Sequence, residues 1–497
     1  MFPRSSGILL HLSSLPGPYG IGSMGQEARH FIRFLQRAGQ SWWQVLPMTA
    51  VGGSDCPYLP ISSQAGNPLF LDLDALAAMK LLSWEDLEYA RFSGSPDRVD
   101  FPFLHVVRSE LLHKAWQRAD RSLLAQVQNF ASAHDWLEDY ALFAALRDHF
   151  GLPLQEWPDQ KLIRREKAAL ERYSQLLSDE IAYHKFVQYL FFSQWSQLRD
   201  YARERGVSLI GDIPIYVSPD SVDVWVYPQL FRLSAGRKPR YVGGLPGDQY
   251  SDQGQRWANP LYNWPEHEKT GFAWWCRRVQ GAMELYDVVR LDHFRALADY
   301  WEIPAQAESH LMGKWKKGPG MKLIQALQKN VPQGRYLVED LGDLSPAALR
   351  FIQQAGLPGM AVLADAFWDT EGGSDFLPHR ADPSKVIYTS THDTPTFCQW
   401  YYDMADSRQR HYAADYLRIS PQDAVGWAAI AGAWHSPCQL AMAPLQDALC
   451  LGGDSRMNFP GTVGPANWSW RVRGEALNSE VAGLLRHLTG LYGRLPR

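Results

Sequence analysis

Eight short apolar runs constrain this chain more than any other feature. They fall at 7–12, 42–48, 208–217, 287–291, 336–339, 360–367, 386–391 and, weakest, 448–451. Each is continuous rather than alternating. A strand wetted on one face alternates apolar and polar residues, whereas a strand buried on both faces does not, and burial on both faces is the condition of a parallel sheet. Between several runs lie stretches of helical period. "QEARHFIRFLQRAG" follows the first run, and "SPAALRFIQQAG" follows the fifth, with Ser345 as its N-cap and Gly356 as its stop. Strand and helix alternating about eight times predict an α/β chain closed into a (β/α)8 barrel of the TIM type. An open doubly wound sheet is the competing arrangement. No G-x-G-x-x-G follows the first run, so the dinucleotide-binding form of that sheet lacks its fingerprint.

The spacing is uneven. Residues 49–207 separate the second and third runs, far more than one crossover helix needs, and much of the stretch is charged and helix-periodic. The expectation is one catalytic barrel domain over 1–497, with a mainly helical subdomain inserted at 76–205. A second insertion, rich in Pro, Gly, Tyr and Trp, is expected at 218–285. With 497 residues, 46% of them apolar and 21% charged, the chain has material for a large core. A net charge of −4 gives no electrostatic footprint for nucleic acid or an anionic membrane. The five cysteines are scattered without C-x-x-C spacing, which argues against a zinc site or a disulfide framework and fits a reducing compartment. His11, Ser13 and Ser14 interrupt the first apolar run, and none elsewhere reaches the length of a membrane span; the expected address is the cytoplasm.

Four runs carry an acid at their C-terminal end: Asp212 in "LIGDIPIYV", Asp292 in "VVRLDHF", Glu339 in "LVEDLG" and Asp393 in "STHDT". For any one of them a helix cap or loop ion pair is the commoner reason. Four at one end of a barrel, the end where such barrels keep their chemistry, point to a site. Arg290 and Asp292 are two apart on a strand and share a face, and a guanidinium beside a carboxylate favours its ionised form. Glu339 follows Leu337 and Val338, and apolar surroundings would keep it protonated. One ionised and one protonated carboxyl group is the pairing that breaks glycosidic bonds. The aromatic content, 13% with 20 Trp and 22 Tyr, suits the apolar faces of sugars, although most of these rings belong in the core. A second reading uses His11, His293 and His392 with Asp393 as metal ligands. It lacks the His-x-His that such barrels place on the first strand, and imidazoles bonded to sugar hydroxyls fit better.

Taken in order, "SGILLHLSSLPGPYGIGSMG", "AGNPLFLDLDAL", "GDIPIYV", "GQRWANPLYNW", "VVRLDHFRALADYWEIPA", "VEDLG", "GLPGMAVL", "THD" and "SRMNFPGT…NWSWR" resemble glycoside hydrolase family 77, the 4-α-glucanotransferases of the α-amylase clan. The resemblance implies transfer of an α-1,4-glucan segment from a donor to the 4-hydroxyl of glucose or a maltooligosaccharide, with retention and with no metal or organic cofactor. It implies Asp292 as nucleophile, Glu339 as general acid/base and Asp393 as transition-state stabiliser. Tyr58, Asp212, Arg290, His293 and His392 would hold the donor sugar, Gln255 and Trp257 would shape the acceptor side within a mobile loop at 244–260, and Asp369 and Asn458 would make further sugar contacts. The chain departs from the family pattern at Cys56 and Leu59 (for Ser-Pro-Tyr-Gln), in "GLPGDQYSDQGQ", at Ala258 and in "THDTPT". No departure removes one of the three catalytic carboxylates that the resemblance implies. The rivals are a hydrolase of the same clan, a binding protein that kept the scaffold, and the metal-dependent barrel hydrolase.

Overall fold

A computed structural model describes residues 2–247 and 254–496. Eight parallel strands, each three to six residues long, lie side by side in chain order: β1 (Ser5–Leu9), β2 (Trp42–Gln44), β3 (Ser208–Ile213), β4 (Val288–Leu291), β5 (Tyr336–Val338), β6 (Met360–Val362), β7 (Val386–Tyr388) and β8 (Leu440–Pro444). β8 pairs with β1, so the sheet curls onto its own beginning. At the remaining seam Val338 N–H donates to Pro358 O at 2.9 Å, and Met360 N–H donates to Asp340 Oδ1 at 2.7 Å. A buried carboxylate therefore stands in for part of the ladder between β5 and β6. The result is the expected (β/α)8 barrel.

One strand lies elsewhere than expected. The eighth is Leu440–Pro444, whereas 448–451 holds the end of the short helix Leu445–Ala448 and the turn after it. "LAMAP" lacks the β-branched and aromatic residues that mark a strand and ends in proline. Burial on both faces makes it one all the same, for all five residues are buried.

The helices follow their sequence signals. Gln26–Arg37 turns Phe31, Ile32, Phe34 and Leu35 inward. Ser345 accepts from Ala348 N–H at 3.1 Å to start Pro346–Ala355, and Gly356 ends it at φ +61°, a conformation that costs glycine little. Between β2 and β3 run eight helices, the last of them Ser178–Arg203. This long helix lies against β3 and Ala273–Leu285: Trp195 Nε1 donates to Leu285 O at 2.8 Å, and Arg199 donates to Met283 O, Glu284 O and Tyr286 O. Trp43, Trp157, Trp195, Trp225, Trp400 and Trp434 are fully buried, which accounts for many of the rings as core. A separate antiparallel sheet of four strands, Tyr241–Leu245, Gln255–Pro260, Asp299–Pro304 and Lys314–Lys317, stands in the connections before and after β4. Among the described residues no helix is long and apolar enough to cross a membrane.

Candidate active site

The register of β3 against β4 sets Asp212 directly abreast of Arg290. Both are buried, and Arg290 Nη1 donates to Asp212 Oδ2 at 2.5 Å. The same Nη1 donates to Asp292 Oδ1 at 2.9 Å, and Nη2 donates to Glu339 Oε2 at 2.8 Å. One guanidinium thus reaches acids at the ends of β3, β4 and β5. Just past Asp292 the chain turns through His293, a non-glycine residue at φ +44°. The His293 N–H donates to Glu339 Oε2 at 2.9 Å, and Phe294 N–H donates to Glu339 O. The left-handed turn is a local strain, held by the bonds on either side of it. Asp292 and Glu339 come within hydrogen-bonding reach of each other, and 18% and 20% of their side chains stay open.

Asp393 reaches the same mouth from the end of β7. Thr391 and Thr394 tie its turn: Thr391 N–H donates to Thr394 Oγ1 at 2.8 Å, and Asp393 N–H donates to Thr391 Oγ1 at 3.2 Å. Asn458 Nδ2 donates to Asp393 Oδ1 at 2.7 Å and His392 Nε2 lies 3.1 Å from Oδ2. His392 Nε2 also meets the Tyr58 hydroxyl at 2.8 Å, and that hydroxyl donates to Asp212 Oδ2 at 2.8 Å. The Tyr58 and His392 rings lie parallel, 3° apart in plane, with centroids 5.4 Å apart. A contiguous run of polar contacts therefore leads from Asp393 through His392, Tyr58, Asp212 and Arg290 to the pair Asp292 and Glu339, with His392 Nε2 shared between Asp393 and Tyr58. Asp212 Oδ1 and Arg290 Nε are left without a hydrogen-bond partner among the described residues.

The charges differ from the sequence expectation. Burial pushes Asp292 well above the ordinary carboxyl range, aided by the negative charge of Glu339. Burial also pushes Glu339 up, but Arg290, the hydrogen bond with Asp292 and the His293 N–H outweigh it and hold Glu339 below its usual value. Both directions run opposite to the sequence expectation of an ionised Asp292 beside a protonated Glu339. Arg290 is the reason: it serves Glu339 as well as Asp292, a cross-strand neighbour that spacing along one strand does not reveal. Burial raises Asp393 too, yet His392 and Asn458 more than offset it and keep Asp393 an anion. Burial lowers His293 to about 4 and His11 to about 3, so both are neutral near pH 7.

The remaining candidates divide. Gln255 and Trp257 begin the strand Gln255–Pro260; Trp257 Nε1 donates to Gln255 Oε1 at 3.0 Å, and its ring meets His293 edge-on at 4.9 Å. They join the site through His293. Of the expected mobile loop at 244–260, residues 248–253 lie outside the described residues. Asp369 is not brought in by the described contacts: its carboxylate accepts from Glu371 N–H at 2.7 Å. Among the described residues, no three His, Cys, Asp or Glu side chains form a group that could hold a metal ion.

Sequence reasoning overlooked three contributors. Arg456 Nη2 donates to Asp393 O at 2.9 Å, and its Nε donates to Asn458 O. It stands two residues before Asn458 in "SRMNFPGT", close enough to have been considered with it. Trp468 packs against both Tyr58 and His392, its ring 5.6 Å and 6.3 Å from theirs. Asp447, fully buried, accepts from Thr389 Oγ1, Ser390 Oγ and Phe397 N–H, and so anchors the end of β7 below Asp393. Only contacts across strands disclose that role.

Comparison with known proteins finds relatives over nearly the whole chain. A sequence model described as 4-alpha-glucanotransferase matches residues 10–478. The 4-alpha-glucanotransferase of Thermus thermophilus is 41% identical over 507 aligned positions, covering 99% of both chains. That of Streptococcus pneumoniae is 40% identical over 498, covering 100% of this chain and 98% of the other. The solved structure of an amylomaltase from Streptococcus agalactiae in complex with acarbose superposes with a TM-score of 0.96 at 37% identity, covering 99% of this chain and 100% of that one.

Proposed function

The chain belongs to glycoside hydrolase family 77 and is a glucanotransferase acting on α-1,4-glucans, and from that premise we propose which residues perform each step. Asp292 attacks the anomeric carbon of the donor while Glu339 protonates the departing glycosidic oxygen, leaving a glycosyl ester on Asp292. Glu339, now ionised, takes the proton of an incoming 4-hydroxyl, and the chain passes to the acceptor with its configuration retained. Asp393, held as an anion, faces the positive charge that develops at the anomeric centre. Arg290, Tyr58, Asp212 and His392 keep the acids aligned, and Gln255 and Trp257 border the acceptor.

The observation that carries this reading is the shared guanidinium. Adjacent nitrogens of Arg290 hold Asp292 and Glu339, and the two carboxyls reach each other. An inverting enzyme keeps its carboxyls ~6.5–9.5 Å apart to lodge a water between them, and this pair is closer. The competent pair holds one proton between its two carboxyls. Donor binding places the glycosidic oxygen beside Glu339, which gives that proton up to it. The nucleophile is then the anion.

Incubation with maltotriose tests the assignment. The wild-type chain should yield glucose and a ladder of longer oligomers, where a hydrolase would yield only shorter products. Asp292→Asn should yield neither while keeping its far-UV circular dichroism. A ladder from that variant at the wild-type rate removes Asp292 as nucleophile.

A further inference from the structure

Two thiols meet beside the loop that carries Asp393, and no step of the transfer uses them. Cys398 lies buried in the short helix Phe397–Gln399, and Cys450 sits, partly open to solvent, in the turn after Leu445–Ala448. Bonds from Thr396 and Phe397 to Leu451 and Asp447 set the two segments side by side, and the two sulfurs perturb each other next to Gly426 in the first turn of Val425–His435. A Cβ on Gly426 would stand 3.1 Å from Cys450 Sγ, so the glycine leaves the sulfurs their space. Cys276 and Cys438 instead donate to the main-chain carbonyls of Ala326 and Asp382.

The backbone holds the pair in register. Phe397 N–H donates to Asp447 Oδ1 at 2.8 Å, Thr396 Oγ1 donates to Leu451 O at 2.8 Å, and Leu451 N–H donates to Gln446 O at 2.9 Å. The two thiols are also unequal. Contact with Cys398 brings Cys450 down to about 7, while the same contact and burial push Cys398 far above the thiol range. A solvent-reachable thiolate beside a buried thiol is the arrangement in which one sulfur reacts and the other resolves.

We propose that Cys398 and Cys450 form a reversible dithiol–disulfide site that takes hydrogen peroxide or an organic hydroperoxide as oxidant. The Cys450 thiolate attacks the peroxide oxygen, the O–O bond breaks, and Cys450 becomes a sulfenic acid as hydroxide or alkoxide leaves. The Cys398 sulfur then attacks the Cys450 sulfur, its proton leaving with the hydroxyl as water. With hydrogen peroxide the balance is two thiols and one peroxide to one disulfide and two waters. The sulfurs must close to ~2.05 Å. The turn at Cys450, already left-handed at φ +53°, moves to allow it, while the buried helix of Cys398 stays. The new bond crosses the seam joining the Asp393 loop to the segment that leads to Asn458.

Peptide mapping after hydrogen peroxide treatment and alkylation tests this on the full chain. The expected product is a crosslinked peptide pair containing residues 398 and 450, two hydrogens lighter than the thiols and separated by dithiothreitol. The oxidised protein should also unfold at a higher temperature than the reduced one. In Cys398→Ser, Cys450 should gain oxygens as sulfinic or sulfonic acid instead of crosslinking; in Cys450→Ser, Cys398 should stay reduced. Over-oxidation of Cys450 in the wild-type chain at the rate seen in Cys398→Ser overturns the proposal. So does survival of both wild-type thiols under peroxide that oxidises Cys450 in that variant.

Discussion

At the scale of single residues, the pair Asp292 and Glu339 sets the pH dependence. The competent form carries one proton for two carboxyls, and the apparent ionisations belong to the pair. Adding a second proton means protonating Glu339, which Arg290 holds below its usual value, so the acid limb of kcat/KM should lie low. Removing the shared proton means ionising Asp292, which burial and Glu339 hold well above its usual value, so the alkaline limb should lie high. Both shifts widen the plateau. Titrating kcat/KM on maltotriose checks this, and an alkaline limb near the ordinary carboxyl value of ~4 contradicts it. The same shift bears on stability with a definite sign. A carboxyl raised on folding binds more protons in the native state, so above the unfolded value of ~3.9 the fold loses stability as pH rises toward the folded value. Asparagine at 292 escapes that loss, while Arg290 keeps Asp212 and Glu339 as partners. Asp292→Asn should therefore melt no lower than wild type at pH 7, a point differential scanning calorimetry decides. Sequence reasoning found the carboxylates because each ends an apolar run. It misjudged their protons because Arg290 was paired only with its neighbour two positions along, whereas the fold brings a third acid from β3 and a fourth group, Tyr58, from a loop.

At the scale of elements, seven strands were legible because continuous apolar runs leave little else to form. The eighth was not, because alanine and methionine in "LAMAP" signal a strand only once both neighbours are in place. The seam between β5 and β6 shows the same dependence on partners. Asp340, next to Glu339, accepts from Met360 N–H at 2.7 Å and from Lys385 Nζ at 2.7 Å, and from sequence it was simply part of "VEDLG". Asp340→Ala would leave a buried N–H without its acceptor and would break the ion pair. The expected cost is about 2–3 kcal/mol, read as a lower urea midpoint at unchanged m-value. An unchanged midpoint would mean that the Val338–Pro358 bond closes the barrel alone.

At the scale of the whole molecule, the helices between β2 and β3 brace the Tyr58 side of the site. Ser178–Arg203 grips the segment that follows Tyr58 with two side-chain amides. Gln188 Oε1 accepts from Gly66 N–H at 2.7 Å and its Nε2 donates to Gly66 O at 2.9 Å; Gln194 treats Asp72 N–H and O in the same way, at 2.8 and 3.3 Å. Each glutamine thus acts as a short piece of neighbouring strand. Gly66 must be glycine here, because a Cβ would stand 2.1 Å from the Phe191 ring. The bracing continues toward Tyr58, since Ala50 N–H donates to Ala65 O at 2.7 Å and Ile61 N–H to Ala50 O at 2.9 Å. Gln188→Met keeps the length of this fully buried side chain but leaves two buried backbone groups unpaired, at ~1–3 kcal/mol each. Denaturant unfolding should show a loss of about 2–6 kcal/mol. If the brace sets the position of Tyr58, KM for maltotriose should rise more than kcat falls, because donor binding suffers while the acids stay on their strands. A stability loss with KM unchanged would make these helices supports of the barrel wall alone.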